Sequence, residues 1–300
     1  MLDLRRLVIL RELKQQGTMS AAARELSYTH SAVSQQLALL ERETGVTLLE
    51  RAGRSVRLTP AGEELVANTE AVLAALEKAE SDLATAHERP QGVVRMAAFT
   101  TVSRIIVPDA LRILHSEFPG LQVQVTRADP EFGVSMLMSR QVDMVLTDGY
   151  PGTEQITAPG ISSAVLDTDP VRAYLPQTAS GQDEDDVSRM SWVMEPYTSA
   201  ATQWALRVCR ERGFEPRVVH TSSDLLFHLR MVEKGLAAAF LPDMVVRESG
   251  VRLTSSEWLP SDQQRSIQLL LRTGSEAHPI HVAVGDAISR VLRTGEIVSQ

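Results

Sequence analysis

Apolar residues recur at helical spacing in three consecutive segments near the start of the chain. The first predicted helix is ended by Gly17, and its apolar face consists of Leu4, Leu7, Val8, Leu10 and Leu13. A second, short helix is predicted over 20–26, with Ser20 as its N-cap. A third is predicted from Thr29, as its N-cap, to about Thr44. The pattern therefore predicts a small three-helix unit.

The third segment has two faces of different character. One apolar stripe is formed by Val33, Leu37 and Leu40. The opposite face near the start carries side chains able to hydrogen-bond, namely His30, Ser31, Ser34 and Gln35. A helix with such a face, joined to the preceding one by a tight turn, suits a helix-turn-helix that meets base edges in the major groove. A generic three-helix bundle with a solvated polar face fits these residues equally well.

The next segment favours the helix-turn-helix. Two short β-prone runs, at 46–49 and 56–58, flank the sequence ERAGRS. They predict a hairpin with Arg51 and Arg54 at its tip, a wing able to reach backbone phosphate or the minor groove. A winged helix-turn-helix is therefore the expected fold of residues 1–58.

The run SAAARELSYTHSAVSQQLALLERETGVTLLERAGRSVRLTPAGEEL closely resembles the DNA-binding segment of LysR-type transcriptional regulators. The resemblance implies that the groove-facing set is Thr29, His30, Ser31, Ser34 and Gln35. It also implies phosphate or minor-groove contacts from Arg51 and Arg54. Many members of that family carry Gln, Pro and Arg where this chain has His30, Ser31 and Gln35, so an operator sequence cannot be transferred from a relative.

One long helix is predicted from Thr59 to about Glu88, with proline at its first helical position. Apolar or small residues repeat every seven positions, at Leu65, Val72, Ala79 and Ala86 and, in the alternate register, at Thr69, Leu76 and Leu83. With charged flanks, this seam favours pairing with a second copy, to give a homodimer or a dimer of dimers, over packing on the helix's own domain. The resemblance implies the same role for this linker, residues 59–89.

Strand and helix patterns alternate from residue 90 to the end of the chain, which predicts an α/β domain with a mainly parallel sheet. The predicted strands are 93–99, 121–126, 142–148, 171–175, 192–195, 217–221, 236–241 and 266–272. The predicted helices are 103–118, 132–140, 200–212, 223–234 and 280–293. We expect two subdomains, about 92–165 with 266–300 and about 166–265, like periplasmic solute-binding proteins and the LysR-type sensor domain.

Polar residues at strand ends predict a small-molecule effector site in the cleft between the subdomains, where helix amides are free. The candidates are Thr100, Thr101, Ser103, Asp148, Tyr197, Thr198 and Thr221. Each hydroxyl could instead cap its own helix. The hydroxyls and amides suit an anionic effector, whereas the carboxylate of Asp148 would repel one, so a ligand with an amine or a hydroxyl remains an alternative.

The net charge of -8 conceals an uneven distribution. Residues 1–58 contain nine Arg or Lys and six Asp or Glu, a net charge of +3, which leaves -11 for the other 242 residues. A cationic head on an anionic body suits a DNA-binding module, because only the binding face must attract phosphate. Double-stranded operator DNA and the effector are the expected partners, and RNA polymerase is a further candidate.

Other classes of protein are disfavoured by the sequence. It has no glycine-rich phosphate loop, no G-x-S-x-G elbow and no paired carboxylate–histidine set, which argues against an enzyme. A transport-type solute receptor would need an export signal, and none is recognisable, so we expect a cytoplasmic protein with no membrane partner. The single cysteine, Cys209, is expected to lie in the hydrophobic core, and the histidines lack metal-ligand spacing. We therefore expect neither a cofactor nor a metal.

Overall fold

The computed structural model describes residues 2–52, 55–86, 89–154, 158–176, 184–256 and 263–294. Its helices are α1 (Leu4–Gln16), α2 (Met19–Glu25), α3 (His30–Thr44), α4 (Pro60–Ala84), α5 (Thr100–Ile105), α6 (Val107–Glu117), α7 (Pro130–Met138), α8 (Glu184–Arg189), α9 (Ala200–Glu211), α10 (Leu225–Glu233), α11 (Asp243–Ser249) and α12 (Pro279–Thr294). Its strands are β1 (Leu49–Ala52), β2 (Ser55–Leu58), β3 (Gly92–Ala98), β4 (Leu121–Arg127), β5 (Met144–Gly149), β6 (Ile161–Tyr174), β7 (Ser191–Met194), β8 (Arg217–Thr221), β9 (Ala239–Pro242) and β10 (Gln264–Arg272).

The winged head consists of α1, α2, α3 and the antiparallel pair β1–β2. Its core is made by the apolar faces seen in the sequence, with Leu10, Leu13, Val33, Leu37 and Leu40 at most 1% exposed. The cap at Thr29 is confirmed, because its hydroxyl accepts a hydrogen bond from the N–H of Ala32 (3.2 Å). The cap at Ser20 is wrong. Thr18 caps α2 instead, since its Oγ1 accepts from the N–H of Ala21 (3.2 Å) and the helix has already begun at Met19.

The linker helix α4 has one face against its own chain and one face in solvent. The buried residues are Gly62, Val66, Thr69, Leu73, Glu77 and Ser81. The exposed stripe contains Val72, Leu76, Ala79, Leu83 and Ala86, with Leu83 74% exposed. Thr69 therefore does not belong to the predicted seam, because it lies on the buried face and donates to the carbonyl of Leu65 (2.7 Å). Packing on its own domain and an unpartnered apolar stripe thus coexist on opposite sides of α4.

The C-terminal part is built on a sheet in the order β4-β3-β5-β10-β6-β9. β3 pairs in parallel with β4 and β5, whereas β10 is antiparallel to both of its neighbours, β5 and β6. β7 and β8 form a parallel pair, which a bridge between Trp192 and Ala238 joins to the end of the larger sheet. The α/β architecture is therefore confirmed, but the expectation of a mainly parallel sheet is wrong, because three of the five strand pairings in the six-stranded sheet are antiparallel.

Two elements differ from the sequence prediction. β6 begins at Ile161, ten residues before the predicted start. Its first part was not predicted because its short apolar run, residues 164–166, is flanked by Ser, Asp and Thr. The predicted helix over 103–118 is two helices, α5 and α6, with Ile106 between them. Pro108 explains the break, since proline has no N–H to donate to the carbonyl of Arg104 and its ring would clash with that carbonyl.

Four apolar clusters divide the C-terminal part into two lobes. The first lobe contains β3, β4 and β5, with one cluster on each sheet face, against α6 and α12 on one side and α7 on the other. The second lobe contains β7, β8 and β9, again with a cluster on each face, against α9 and α10. β6 and β10 run between the lobes. No helix within the described ranges is long and apolar enough to cross a membrane.

Candidate functional site

The exposed face of α3 presents the polar residues expected from the sequence. All five of its predicted groove-facing residues are exposed: Thr29, His30, Ser31, Ser34 and Gln35. Thr29 and Ser31 share a hydrogen bond between their hydroxyls (3.0 Å), so the start of this face is ordered. Tyr28, in the turn between α2 and α3, is 47% exposed beside them. Ser27, in the left-handed region at φ 56°, makes the turn that sets the angle between α2 and α3.

The wing contributes cationic side chains next to this face. Arg51 is exposed on β1, opposite Val56 on β2. Arg57, on the same hairpin, is held by Glu50 at 2.5 Å between Nε and Oε1. Arg54, predicted at the tip, lies outside the described residues. An exposed polar helix end beside a cationic hairpin is a surface that suits a nucleic-acid duplex.

A cavity of about 770 Å³ lies between the two lobes. Four of the predicted effector-site residues line it: Thr100, Thr101, Asp148 and Thr198. Three do not. Ser103 Oγ donates to the carbonyl of Thr100 (2.9 Å) within α5, Tyr197 is 62% exposed, and Thr221 is exposed at the end of β8.

The helix start expected near Thr221 lies further along the chain. α10 is capped by Asp224, whose Oδ1 accepts from the N–H of Leu226 (2.9 Å), and Ser223 rather than Thr221 reaches the cavity. On the other side of the second lobe, Ser199 caps α9 by accepting from the N–H of Thr202 (3.1 Å). At α10 the capping and lining roles thus fall on neighbouring residues, whereas Ser199 both caps α9 and lines the cavity.

A buried arginine that the sequence reasoning missed organises the charges of the cavity. Arg265, at the start of β10, is 1% exposed and donates to Oδ2 of Asp169 from both Nε (3.1 Å) and Nη2 (2.9 Å). Its Nη1 donates to Oδ2 of Asp148 (3.1 Å). The guanidinium carbon lies 5.4 Å from the ring centroid of Phe99. One cation therefore serves two carboxylates, and even so burial raises the pKa of Asp148 above its usual range.

Glu195 is the second charged residue that the sequence did not indicate. It follows β7 directly and lines the cavity opposite the first lobe. Among the described residues no donor is paired with its carboxyl group, and only its backbone carbonyl is engaged, by the hydroxyl of Thr202 (2.9 Å). Burial, and next the nearby carboxylate of Asp148, raise the pKa of Glu195 to about 8. The only sequence signal was a glutamate at a strand end, which is common on protein surfaces.

The winged head contacts the first lobe through buried and exposed polar pairs. Arg11, on α1, donates from Nη2 to the backbone carbonyl of Met138 (2.8 Å), the last residue of α7. Nearby, the amide of Gln141 donates to Glu25 on α2 (2.8 Å). The first residues of α7, Pro130 and Glu131, line the cavity. A single nine-residue helix therefore extends from the cavity to the head.

Comparison with known proteins identifies the family. The family model for the LysR substrate binding domain matches residues 87–293, and that for the bacterial regulatory helix-turn-helix protein, lysR family, matches residues 4–63. The architecture and these matches define a transcriptional regulator with a helix-turn-helix DNA-binding domain and an effector-binding domain. The chain belongs to the LysR family.

Individual relatives agree along most of their lengths. The transcriptional dual regulator GltC of Bacillus subtilis (strain 168) is 25% identical over 258 residues, which cover 84% of this chain and 85% of GltC. The probable hydrogen peroxide-inducible genes activator of Streptomyces viridosporus is 28% identical over 281 residues, 91% of this chain and 88% of that protein. The crystal structure of full-length CbnR complexed with its target DNA has a TM-score of 0.53 at 21% identity, covering 97% of this chain and 99% of that chain. That likeness is one of fold.

Proposed function

We propose that the exposed face of α3 reads operator DNA and that the wing holds the DNA backbone. The groove-facing residues in this proposal are Thr29, His30, Ser31, Ser34 and Gln35, and the backbone contacts come from Arg51 and Arg54. The observation that carries it is the exposure of all five α3 residues on a helix whose opposite face is fixed in the core. The CbnR structure with its target DNA supports the assignment by analogy of fold.

The inter-lobe cavity is the proposed site of a small-molecule effector. Its volume of about 770 Å³ lies within the range of cavities that bury small ligands. It is lined from both lobes, by Thr100 and Asp148 from one and by Thr198 and Glu195 from the other. A ligand held between them would favour one relative placement of the lobes over another.

Helix α7 is the proposed route from the effector to the DNA. A ligand that changes the position of Glu131 would move the start of α7, and the other end of the helix carries the carbonyl that accepts from Arg11. A rigid helix transmits such a displacement along its length, so the winged head would change its placement with the state of the cavity.

The exposed stripe of α4 is the proposed dimer contact. A monomer that left Val72, Leu76 and Leu83 uncovered would expose an apolar strip along a helix of 25 residues. Pairing of α4 with a second copy covers this strip and brings two winged heads together on one operator. A dimer of dimers would follow from further contacts between effector-binding domains.

The name of the Streptomyces relative suggests peroxide sensing as an alternative function. The environment of Cys209 argues against it. The thiol of Cys209 is fully buried in the core of the second lobe, and this burial raises its pKa to about 12. Peroxide reacts with an accessible thiolate, which this environment does not provide.

The decisive test is to sequence the DNA fragments that the purified full-length protein captures from the genome of its source. We expect enrichment of a short sequence with two-fold symmetry and half-sites about one helical turn apart or a multiple of it. Matched capture with a His30→Ala and Gln35→Ala double variant should lose that enrichment but still retain DNA at low salt. Equal fragments from both proteins would contradict the assignment of α3 as the reading helix.

A further inference from the structure

The charges around the cavity do not balance. Three carboxyl groups, those of Asp148, Asp169 and Glu195, lie around the buried cation Arg265. Both Asp148 and Asp169 already accept hydrogen bonds from that guanidinium. Glu195 has no such partner among the described residues, although it lines the cavity. The interior therefore has one more carboxyl group than its arginine can serve.

Other charged residues do not correct this imbalance. Arg104 lines the cavity, and its charge is paired with Glu248 through Nη2 (3.3 Å), whereas its buried Nε has no hydrogen-bond partner among the described residues. Asp129 is paired with Arg127 (2.7 Å), so those two charges cancel. Glu131 and Glu154 add further carboxylates to the lining. These acids would repel an anionic ligand. The guanidinium of Arg265 could not offset the repulsion, because it already donates to Asp148 and Asp169.

We propose that the cavity binds an effector that carries a protonated amine, and that the Glu195 carboxylate is the counter-ion of that ammonium group. This inference rests on the proposed effector site and names the chemical class of its ligand. Asp148 lies close enough to Glu195 to add a second negative charge. The hydroxyl of Thr198 can accept a hydrogen bond from a remaining ammonium proton, whereas that of Thr100 already accepts one from Nε of Arg127 (3.0 Å).

The state of Glu195 makes this binding depend on pH. The charged or titratable groups that surround it are Asp129, Glu131, Asp148, Tyr150 and Arg265. Behind it, His228 on α10 lines a small adjoining pocket; burial lowers the pKa of His228, so it is neutral at pH 7 and adds no charge. With a pKa of about 8, Glu195 is mostly protonated at pH 7 when no ligand is bound. An ammonium ligand favours the carboxylate, so binding at pH 7 releases a proton.

The test uses the full-length protein and a series of α,ω-diaminoalkanes of two to six carbons, with the matching diols and dicarboxylates as probes of equal length. We expect calorimetry to detect binding of at least one diamine and of no dicarboxylate. The affinity should rise about tenfold per pH unit between pH 6 and 7.5 and level off above about pH 8.5, because at least one ammonium group of each diamine stays protonated to about pH 10. At pH 7 the heat should vary with buffer ionisation enthalpy as for release of about one proton.

Glu195→Gln keeps the shape of the side chain and removes its charge, so it should weaken diamine binding at least tenfold at pH 8 and flatten the pH slope. The matched control is Glu117→Gln on the outer side of α6, whose carboxylate pairs with Arg290, and this variant should behave as the parent protein. Tighter binding of a dicarboxylate than of any diamine, no binding of any diamine, or a pH slope that survives in Glu195→Gln would each overturn the proposal.

These results are distinguishable from failure of the effector site itself. Thr100→Phe fills the cavity and should abolish binding of every probe, whatever its charge, while operator capture continues. Dicarboxylate binding that Thr100→Phe abolishes would retain the cavity as the effector site and reject only the amine. Probe binding that survives in Thr100→Phe would place the ligand elsewhere and reject both.

Discussion

The Nη2 atom of Arg11 lies 2.8 Å from the backbone carbonyl oxygen of Met138, which is 127 residues further along the chain. Arg11 is 6% exposed, its Nε has no hydrogen-bond partner, and its nearest carboxylates, Glu12 and Glu70, lie 3.9 Å away. Burial accordingly lowers the pKa of Arg11. Burial of an arginine with so few hydrogen-bond partners is energetically costly. The principal hydrogen bond of Arg11 joins the winged head to the end of α7.

Replacement of this arginine should loosen the head without unfolding it. In Arg11→Met the apolar stem still fills the space, but the carbonyl of Met138 loses its donor. We expect amide hydrogen exchange to accelerate in α1 and in the last turn of α7, as a loss of about 1–3 kcal/mol of local stability. Arg5→Met, on the exposed side of α1, is the control. If amide hydrogen exchange in α7 were unchanged, this helix would not be coupled to the winged head, and the proposed route from effector to DNA would be contradicted.

Contacts with bases and contacts with phosphate should respond differently to mutation. His30→Ala should weaken binding to the captured operator by about 1–3 kcal/mol and leave binding to random DNA nearly unchanged. Arg51→Ala should weaken binding to both and reduce the dependence of affinity on salt. Titrations of each variant with both DNAs at two salt concentrations give the comparison. Identical profiles for the two variants would contradict the division of labour between α3 and the wing.

The exposed stripe of α4 should control assembly. The double substitution Leu76→Glu and Leu83→Glu places two charges on the proposed contact, and we expect light scattering to report dissociation of the native oligomer. Ala67→Glu introduces the same side chain at an exposed position of α4 away from the stripe and should leave the mass unchanged. A native mass for the double variant would show that the oligomer forms through other surfaces.

Arg265 should be essential for the stability of the effector-binding domain. Arg265→Met leaves Asp148 and Asp169 buried without a cation, which typically costs about 3–5 kcal/mol in the free energy of unfolding. The loss should be smaller at pH 5.5 than at pH 8. Burial raises the folded-state pKa of Asp148 above the unfolded value and Arg265 opposes this rise, so without the arginine the destabilisation fades as the pH falls through that raised pKa.

Urea denaturation of Arg265→Met at the two pH values gives both numbers. Arg290→Met, which removes a solvent-exposed pair with Glu117, should cost about 0–1 kcal/mol at either pH. Equal losses for the two arginine variants would mean that the buried carboxyl groups do not depend on Arg265.

The thiol of Cys209 should be inert in the folded protein. With a pKa of about 12, on the order of one thiol in ten thousand is ionised at pH 8. We expect Ellman's reagent to modify Cys209 only after unfolding in urea. Dilute peroxide should leave operator binding unchanged in the parent protein and in Cys209→Ala alike. Stoichiometric labelling of the native protein within minutes would restore Cys209 as a candidate redox sensor.

The N-terminal elements could be predicted because their physical causes are local. The apolar stripe of α3, the cap at Thr29 and the stop at Gly17 are each determined within a few residues, and the structure reproduces them. The cap at Ser20 was wrong because Thr18 has the same chemistry two residues earlier. The break between α5 and α6 was also readable, since Pro108 stands inside the predicted helix.

The cavity depended on contacts that no local pattern contains. Thr100, Asp148 and Thr198 were found because strand ends and helix starts are visible in the sequence. Arg265 and Glu195 were missed, since their importance comes from tertiary neighbours. Arg265 meets Asp148 across 117 residues and Asp169 across 96 residues, and Asp169 lies in the part of β6 that no predicted strand covered.

The place of β10 in the sheet also constrains how the protein is made. β10 lies between β5 and β6, and α12 completes the core of the first lobe, yet both elements come from the last 40 residues of the chain. During synthesis the winged head and α4 can fold early, whereas β5 and β6 must wait with unpaired edges until β10 leaves the ribosome. A nascent chain cut short before Gln264 would therefore present a finished DNA-binding head on an aggregation-prone body.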